Sequence, residues 1–311
     1  MTTQPYNQLA MSGLKKLTAA KLLAWVQQAT TQDQGRVMSR IPQLALADQR
    51  WFAVHICCGT DNYSQGDTAC VFPLMSVIKP FSLLYLLEHL GSETVFKWVG
   101  VEPSNAPFNS LEQLIADRSR PRNPMINSGA ITLADKLPGI DASDRTQKLC
   151  QWLNQHADCQ LQLDEAMLES VRSSDKGANQ AIAHHLAEAR YLDNVEVALD
   201  TYEQICCLSG KVADLAQLGK LLTTDSAQAP QHRHTVNALM LSCGVYEASF
   251  ATSVRIGLPI KSGVSGAVLA IVPGQGAIAC YSPALDSIGN PVAGLALIET
   301  LAQELQLNIF G

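Results

Sequence analysis

Ser76 and Lys79 stand three residues apart in Phe72-Pro73-Leu74-Met75-Ser76-Val77-Ile78-Lys79, at the head of an apolar run that reaches about Leu90. On a helix that spacing puts a hydroxyl and an amine on one face, one turn apart. A serine hydroxyl at its ordinary pKa is a poor nucleophile. A desolvated lysine beside it can take its proton and let the oxygen attack an acyl carbon. The spacing alone is common, because serines and lysines crowd solvated helix faces. Three features mark this occurrence: Pro73 just before it, the apolar residues around it, and a Lys261-Ser262-Gly263 late in the chain.

Elements of both kinds must bring these segments together. A helix is expected from Leu14 to Gln28, where apolar residues recur at helical spacing. Strands are expected at Trp51–Cys57 and Ala69–Phe72, separated by the turn-rich Gly59-Thr60-Asp61-Asn62-Tyr63. The Ser76 helix should stop at Gly91. From about Val101 to Asp225 the chain reads as loops and helices, with helices near Asn127–Ala134, Arg145–His156, Asp164–Val171, Ala178–Ala189, Val195–Cys207 and Val212–Leu222. Strands return at Gly266–Val272 and Ala277–Tyr281 around the turn Pro273-Gly274-Gln275-Gly276, and a last helix covers about Pro291 to Leu305. This order predicts an α+β, two-lobed chain. An antiparallel sheet flanked by helices would form from 1–75 and 226–311, and a mainly helical lobe from 76–225, with the site in the cleft between them.

Composition narrows the partners. The 311 residues are 47% hydrophobic and 16% charged, a composition for a packed core rather than a disordered chain. The net charge of −6 argues against nucleic acid or an anionic membrane as partner. Met1-Thr2-Thr3-Gln4-Pro5 lacks the charged start and apolar core of a signal peptide, and no apolar run reaches membrane-spanning length. The nine cysteines, two pairs of them adjacent, follow no Cys-x-x-Cys or disulfide framework, so a reducing cytoplasm is expected. His184-His185 and His232-x-His234 lack ligand spacing, so neither metal nor cofactor is expected.

Longer phrases carry more than the pair does. They are Gly35-Arg36-Val37 with Ile41-Pro42-Gln43-Leu44-Ala45, Glu102-Pro103-Ser104 with Phe108-Asn109-Ser110, and Asn123-Pro124-Met125-Ile126-Asn127-Ser128-Gly129-Ala130-Ile131. Tyr202-Glu203-Gln204-Ile205-Cys206, Cys243-Gly244-Val245-Tyr246-Glu247 and Gly257-Leu258-Pro259-Ile260-Lys261-Ser262-Gly263-Val264 follow in order. From about Gly35 to the C-terminus the chain resembles the serine-dependent glutaminases, which have the β-lactamase-like fold. The resemblance implies a homodimer or homotetramer acting on a small-molecule amide or carboxylate. It makes Ser76 the nucleophile and Lys79 its base, with Tyr246, Tyr202 and Lys261 at the catalytic centre. It gives the oxyanion to the backbone N–H groups of Ser76 and Val264, fixed before charge develops. Asn127 and Asn179 would hold the substrate's α-carboxylate, with Ser262 and Met75 also at the substrate.

The pattern breaks where glutamine would be touched. Arg40 replaces a family tyrosine, Met75 a glutamine, and Ile78 a second serine. Arg172, seven residues before Asn179, replaces the glutamate that meets the α-ammonium, unless a local shift brings Glu169 there. Two arginines in the site would favour a carboxylate and repel an ammonium. Three expectations follow: hydrolysis of L-glutamine, hydrolysis of a more anionic or amine-lacking amide, or binding of an anionic metabolite without turnover.

Overall fold

The computed structural model describes residues 13–310 except 33 and 224–226, so the reading of Met1–Pro5 and the lobe boundary at 225 and 226 lie outside the described residues. The strands are β1 (Ala53–Cys58), β2 (Asp61–Gly66), β3 (Phe72–Pro73), β4 (Gln162–Leu163), β5 (Leu208–Gly210), β6 (Ile260–Ser262), β7 (Ala267–Val272) and β8 (Gly276–Tyr281). Five form an antiparallel sheet in the order β2-β1-β8-β7-β6, which joins the early and late parts of the chain.

Successive side chains of a strand point to opposite faces, so β1, β7 and β8 each serve two cores. Val54, Ile56, Val268, Ala270, Val272, Ile278 and Cys280 pack with Leu14, Leu22 and Val26 and with Leu297, Ile298 and Leu301 of the last helix, Val292–Glu304. Ala53, Cys57, Ala267, Leu269, Ile271, Ala277 and Ala279 face the other way, into the core that holds Leu83 and Leu86 of the helix Lys79–Leu90. The helix Val212–Lys220 lies directly on this second face. A methyl group added at Gly219 would come within 2.5 Å of Ala277 Cβ. No helix among the described residues is long and apolar enough to cross a membrane.

Most expected helices form within a residue or three of their expected ends: Asn127–Asp135, Ala142–Ala157, Glu165–Ser173, Gly177–Glu188, Val195–Cys206 and Val212–Lys220. The first one differs. A 3-10 turn, Gly13–Lys16, is followed by an α-helix, Ala19–Ala29, because extended Thr18 interrupts the run and its hydroxyl caps the Lys21 N–H at 3.3 Å. The expected turn at Gly59–Tyr63 is shorter, since Asp61–Tyr63 belong to β2, which pairs with β1 from Ala53↔Gly66 to Cys58↔Asp61. Its polar residues suit an outer strand that faces water. The strand expected at Ala69–Phe72 is reduced to β3, where the Phe72 ring stacks on Tyr281 at 4.3 Å. β3 pairs with β5, β5 with β4, and Leu74 N–H donates to Leu208 O at 2.8 Å. That small sheet fixes the segment that leads into Ser76.

Candidate active site

Ser76 lies in a 3-10 turn, Met75–Ile78, that runs straight into the helix Lys79–Leu90. With three residues per turn, positions i and i+3 eclipse, so this turn aligns Ser76 with Lys79 more directly than an α-helix would. Pro80 in the first helical turn needs no N–H partner and suits a helix start. Met75 is held at φ +46°, a conformation costly for a side chain with a Cβ.

Lys79 is sealed beneath the turn, 1% exposed. Its ammonium donates to Asn127 Oδ1 at 2.8 Å and to Met125 O at 3.2 Å. Burial pulls its pKa down to about 8, while nearby Cys206 acts weakly in the other direction. Asn127 also accepts from Tyr202 Oη at 3.1 Å and donates to Asn179 Oδ1 at 2.9 Å. One chain of hydrogen bonds therefore joins Lys79, Asn127, Tyr202 and Asn179. Buried Asn123 sets its frame: its Oδ1 accepts from Met125 and Ile126 N–H, and its Nδ2 donates to Glu102 O at 2.7 Å. Gly129 is required there, because a Cβ would lie 2.0 Å from Asn123 O. This packing accounts for the Asn-Pro-Met-Ile-Asn-Ser-Gly and Glu-Pro-Ser phrases together.

A second layer stands on the other side of Ser76. The Tyr246 phenol donates to Ser262 O at 3.5 Å; burial pushes its pKa up to about 12, while Ser76 nearby acts in the other direction. Tyr246 sits at φ +58° and is anchored by Ser249, whose hydroxyl donates to Tyr246 O at 2.6 Å. Lys261 Nζ lies 4.6 Å from the centre of the Tyr246 ring and donates to Gly244 O and Ser262 O. Burial and the neighbouring Lys79 hold the Lys261 amine well below its usual range. Strand β6 can lie this close only because Gly244 has no side chain, whose Cβ would be 1.7 Å from Ile260 O.

The cleft over Ser76 holds about 380 Å³ and is lined by Met75, Ser76, Asn127, Asn179, Tyr202 and Val264, together with Arg40, Phe108, Lys176, Glu203 and Cys206 among others. A larger groove of about 940 Å³ shares Arg40, Phe108 and Val264 with it but does not reach Ser76, so the smaller cleft is the site.

Arg172, Glu169, Ser262 and Lys261, four residues named from the sequence, lie outside the cleft wall. Arg172 is exposed and turned away from the cleft, because Asp200 on the neighbouring helix draws its guanidinium into a 2.5 Å ion pair. Glu169 is exposed on the same helix, and neither residue lines the cleft. Ser262 is fully buried behind the cleft, its hydroxyl given to Asn290 Oδ1 at 2.6 Å. Lys261 lies behind Tyr246 rather than in the wall. Arg40 remains at the exposed rim. Glu203, Lys176, Asn123 and Asn290 carry no expected role. Glu203 and Asn123 lie inside quoted phrases, whereas Asn290 is signalled only by a following proline.

A family model described as Glutaminase matches residues 35–310. The glutaminase of Synechocystis sp. is 44% identical over 304 residues, covering 96% of this chain and 92% of that protein. The glutaminase of Pseudoalteromonas atlantica is 37% identical, covering 90% and 94%. A solved probable glutaminase from Bacillus subtilis, complexed with 6-diazo-5-oxo-L-norleucine, superposes with a TM-score of 0.86 at 27% identity, covering 98% of this chain and all of that one. The chain belongs to the glutaminase family and has its serine β-lactamase-like fold.

Gly263 closes the site from the strand side, where an added Cβ would lie 2.9 Å from Leu74 O and 3.1 Å from Val77 Cγ2. Gly263→Ala should therefore lower stability by about 1–3 kcal/mol in urea unfolding. An unchanged unfolding midpoint would contradict this packing.

Proposed function

We propose that this protein hydrolyses the side-chain amide of L-glutamine to L-glutamate and ammonia through an acyl-enzyme on Ser76. The observation that carries the proposal is a serine in the cleft wall, one turn from a buried lysine whose pKa is pulled down to about 8. The glutaminase names of its relatives support the choice of glutamine.

In this reading neutral Lys79 takes the Ser76 proton as the oxygen attacks the amide carbon. The oxyanion forms against the backbone N–H groups of Ser76 and Val264. The proton returns through Tyr246 to the departing ammonia, and water then attacks the ester, with the same groups acting in reverse. Asn127 and Asn179 present amides to the α-carboxylate, and Tyr202 fixes Asn127 through its hydroxyl. Lys261 is a positioning residue, since it supports the Tyr246 ring without lining the cleft. The site is proposed to lie between a sheet lobe, 1–75 with 226–311, and a helical lobe, 76–225. A cytoplasmic homodimer or homotetramer belongs to the same proposal. All nine cysteines are free, which supports a reducing compartment.

The ion pair of Arg172 with Asp200 removes the main reason for an anionic substrate. Arg172→Ala should leave the KM for glutamine within about twofold. A tenfold change would return Arg172 to the substrate site. Ser76→Ala should lower ammonia release by about 10⁴-fold or more, and residual turnover close to wild type would remove Ser76 as nucleophile. Because the base acts deprotonated, kcat/KM should fall about tenfold per pH unit below about pH 8 and level off above it. A flat profile between about pH 6 and 9 would contradict Lys79 as the base.

A further inference from the structure

Glutamine carries an α-ammonium, and if the α-carboxylate meets Asn127 and Asn179, that ammonium must be met within the reach of one carbon atom. The two acids in the cleft wall are Asp175 and Glu203. Asp175 is exposed, and its Oδ1 accepts from Gly177 N–H at 2.9 Å, a local turn contact. Glu203 is only 7% exposed. It sits on the helix Val195–Cys206 beside Tyr202 and three residues before Cys206, and all three line the cleft. Its Oε2 accepts from Lys176 Nζ at 3.0 Å.

We propose that Glu203 is the carboxylate that receives the substrate's α-ammonium, with Lys176 as its internal counter-ion. This inference rests on the glutamine reading above. Lys176 stands three residues before Asn179, so its bond to Glu203 ties the carboxylate to the wall that carries an α-carboxylate partner. An amino acid needs the two partners adjacent, and this wall supplies them. A carboxylate has about four acceptor positions, and Lys176 engages a single oxygen. The lysine ammonium also has the chemistry of the group the site would select. Its side chain is 24% exposed, near enough to water to yield, whereas that of Glu203 is 8% exposed and held. A buried carboxylate without a partner would be costly, so the lysine pairs with it and holds it aimed until a second ammonium arrives. Arg172 and Glu169 are exposed and do not line the cleft; Arg172 reaches Glu203 through its charge alone, its hydrogen bond going to Asp200.

L-Glutamate and glutarate differ only in the ammonium, so their affinities isolate it. Calorimetric titration of the wild-type protein should favour glutamate by about tenfold to a hundredfold, the range for a charge-assisted hydrogen bond. Glu203→Gln should bring the two affinities within about twofold of each other. Glu203→Asp, which keeps the charge but draws it back by one carbon, should leave part of the glutamate preference, and it decides the matter should Glu203→Gln fail to fold. A merely structural Glu203 would weaken both ligands alike and leave their ratio unchanged. Wild-type protein without a glutamate preference, Glu203→Gln that keeps it, or Glu203→Asp that leaves it at the full wild-type value overturns the proposal. Ammonia release from glutamine by the wild type separates the two readings. A preference without turnover sinks hydrolysis alone, and turnover with a preference untouched by Glu203→Gln sinks the Glu203 assignment alone.

Discussion

An ammonium enclosed with only amide and carbonyl oxygens for company favours losing its proton, and Lys79 is in that position. The fall from 10.5 to about 8 corresponds to about 3 kcal/mol in favour of the neutral amine. Much of the surrounding structure serves this burial. The small sheet of β3, β4 and β5 fixes Leu74, the 3-10 turn brings Ser76 over the lysine, and Asn123 shapes the loop that presents Met125 O and Asn127. A carboxylate at any of these places would raise the lysine pKa again and remove its use as a base.

The second buried lysine extends the same logic. Burial and the nearby Lys79 disfavour the charge on Lys261, which rests against the Tyr246 ring rather than beside an acid. Met75 and Tyr246, on either side of Ser76, both occupy left-handed backbone conformations that large residues avoid. Such strain persists only where the surroundings over-determine it. Here the constraints are Gly263 packed against Leu74 and Val77, and Gly244 packed against Ile260. The polar centre is thus assembled by close backbone contacts that glycine alone permits.

Much of this could be read in the sequence. The Ser76–Lys79 spacing, the late strands and the helices between Asn127 and Lys220 have strong local signals, and their ends shift by only a few residues. β2 was hidden because Asp61-Asn62-Tyr63-Ser64-Gln65 is polar and turn-like, which an outer strand tolerates. The split of the first helix depended on one capping threonine. Arg172 illustrates a deeper limit: position along a chain fixes a neighbourhood, while the direction of a side chain depends on partners such as Asp200, far away in sequence. Val171 faces the cleft and Arg172 does not. Glu203 stood beside Tyr202 in plain view, but its relevance emerges only once its bond to Lys176, three residues before Asn179, is seen.

The central claim is that the chemistry passes through an ester on Ser76, formed with a neutral lysine as base. Acid-quenching the protein during turnover of glutamine, followed by peptide mass spectrometry, tests it directly. The account predicts a glutamyl group on the peptide that contains Ser76, absent from the same peptide of Ser76→Ala. A glutamyl group on Cys206 instead, or none at all while ammonia accumulates, would contradict it.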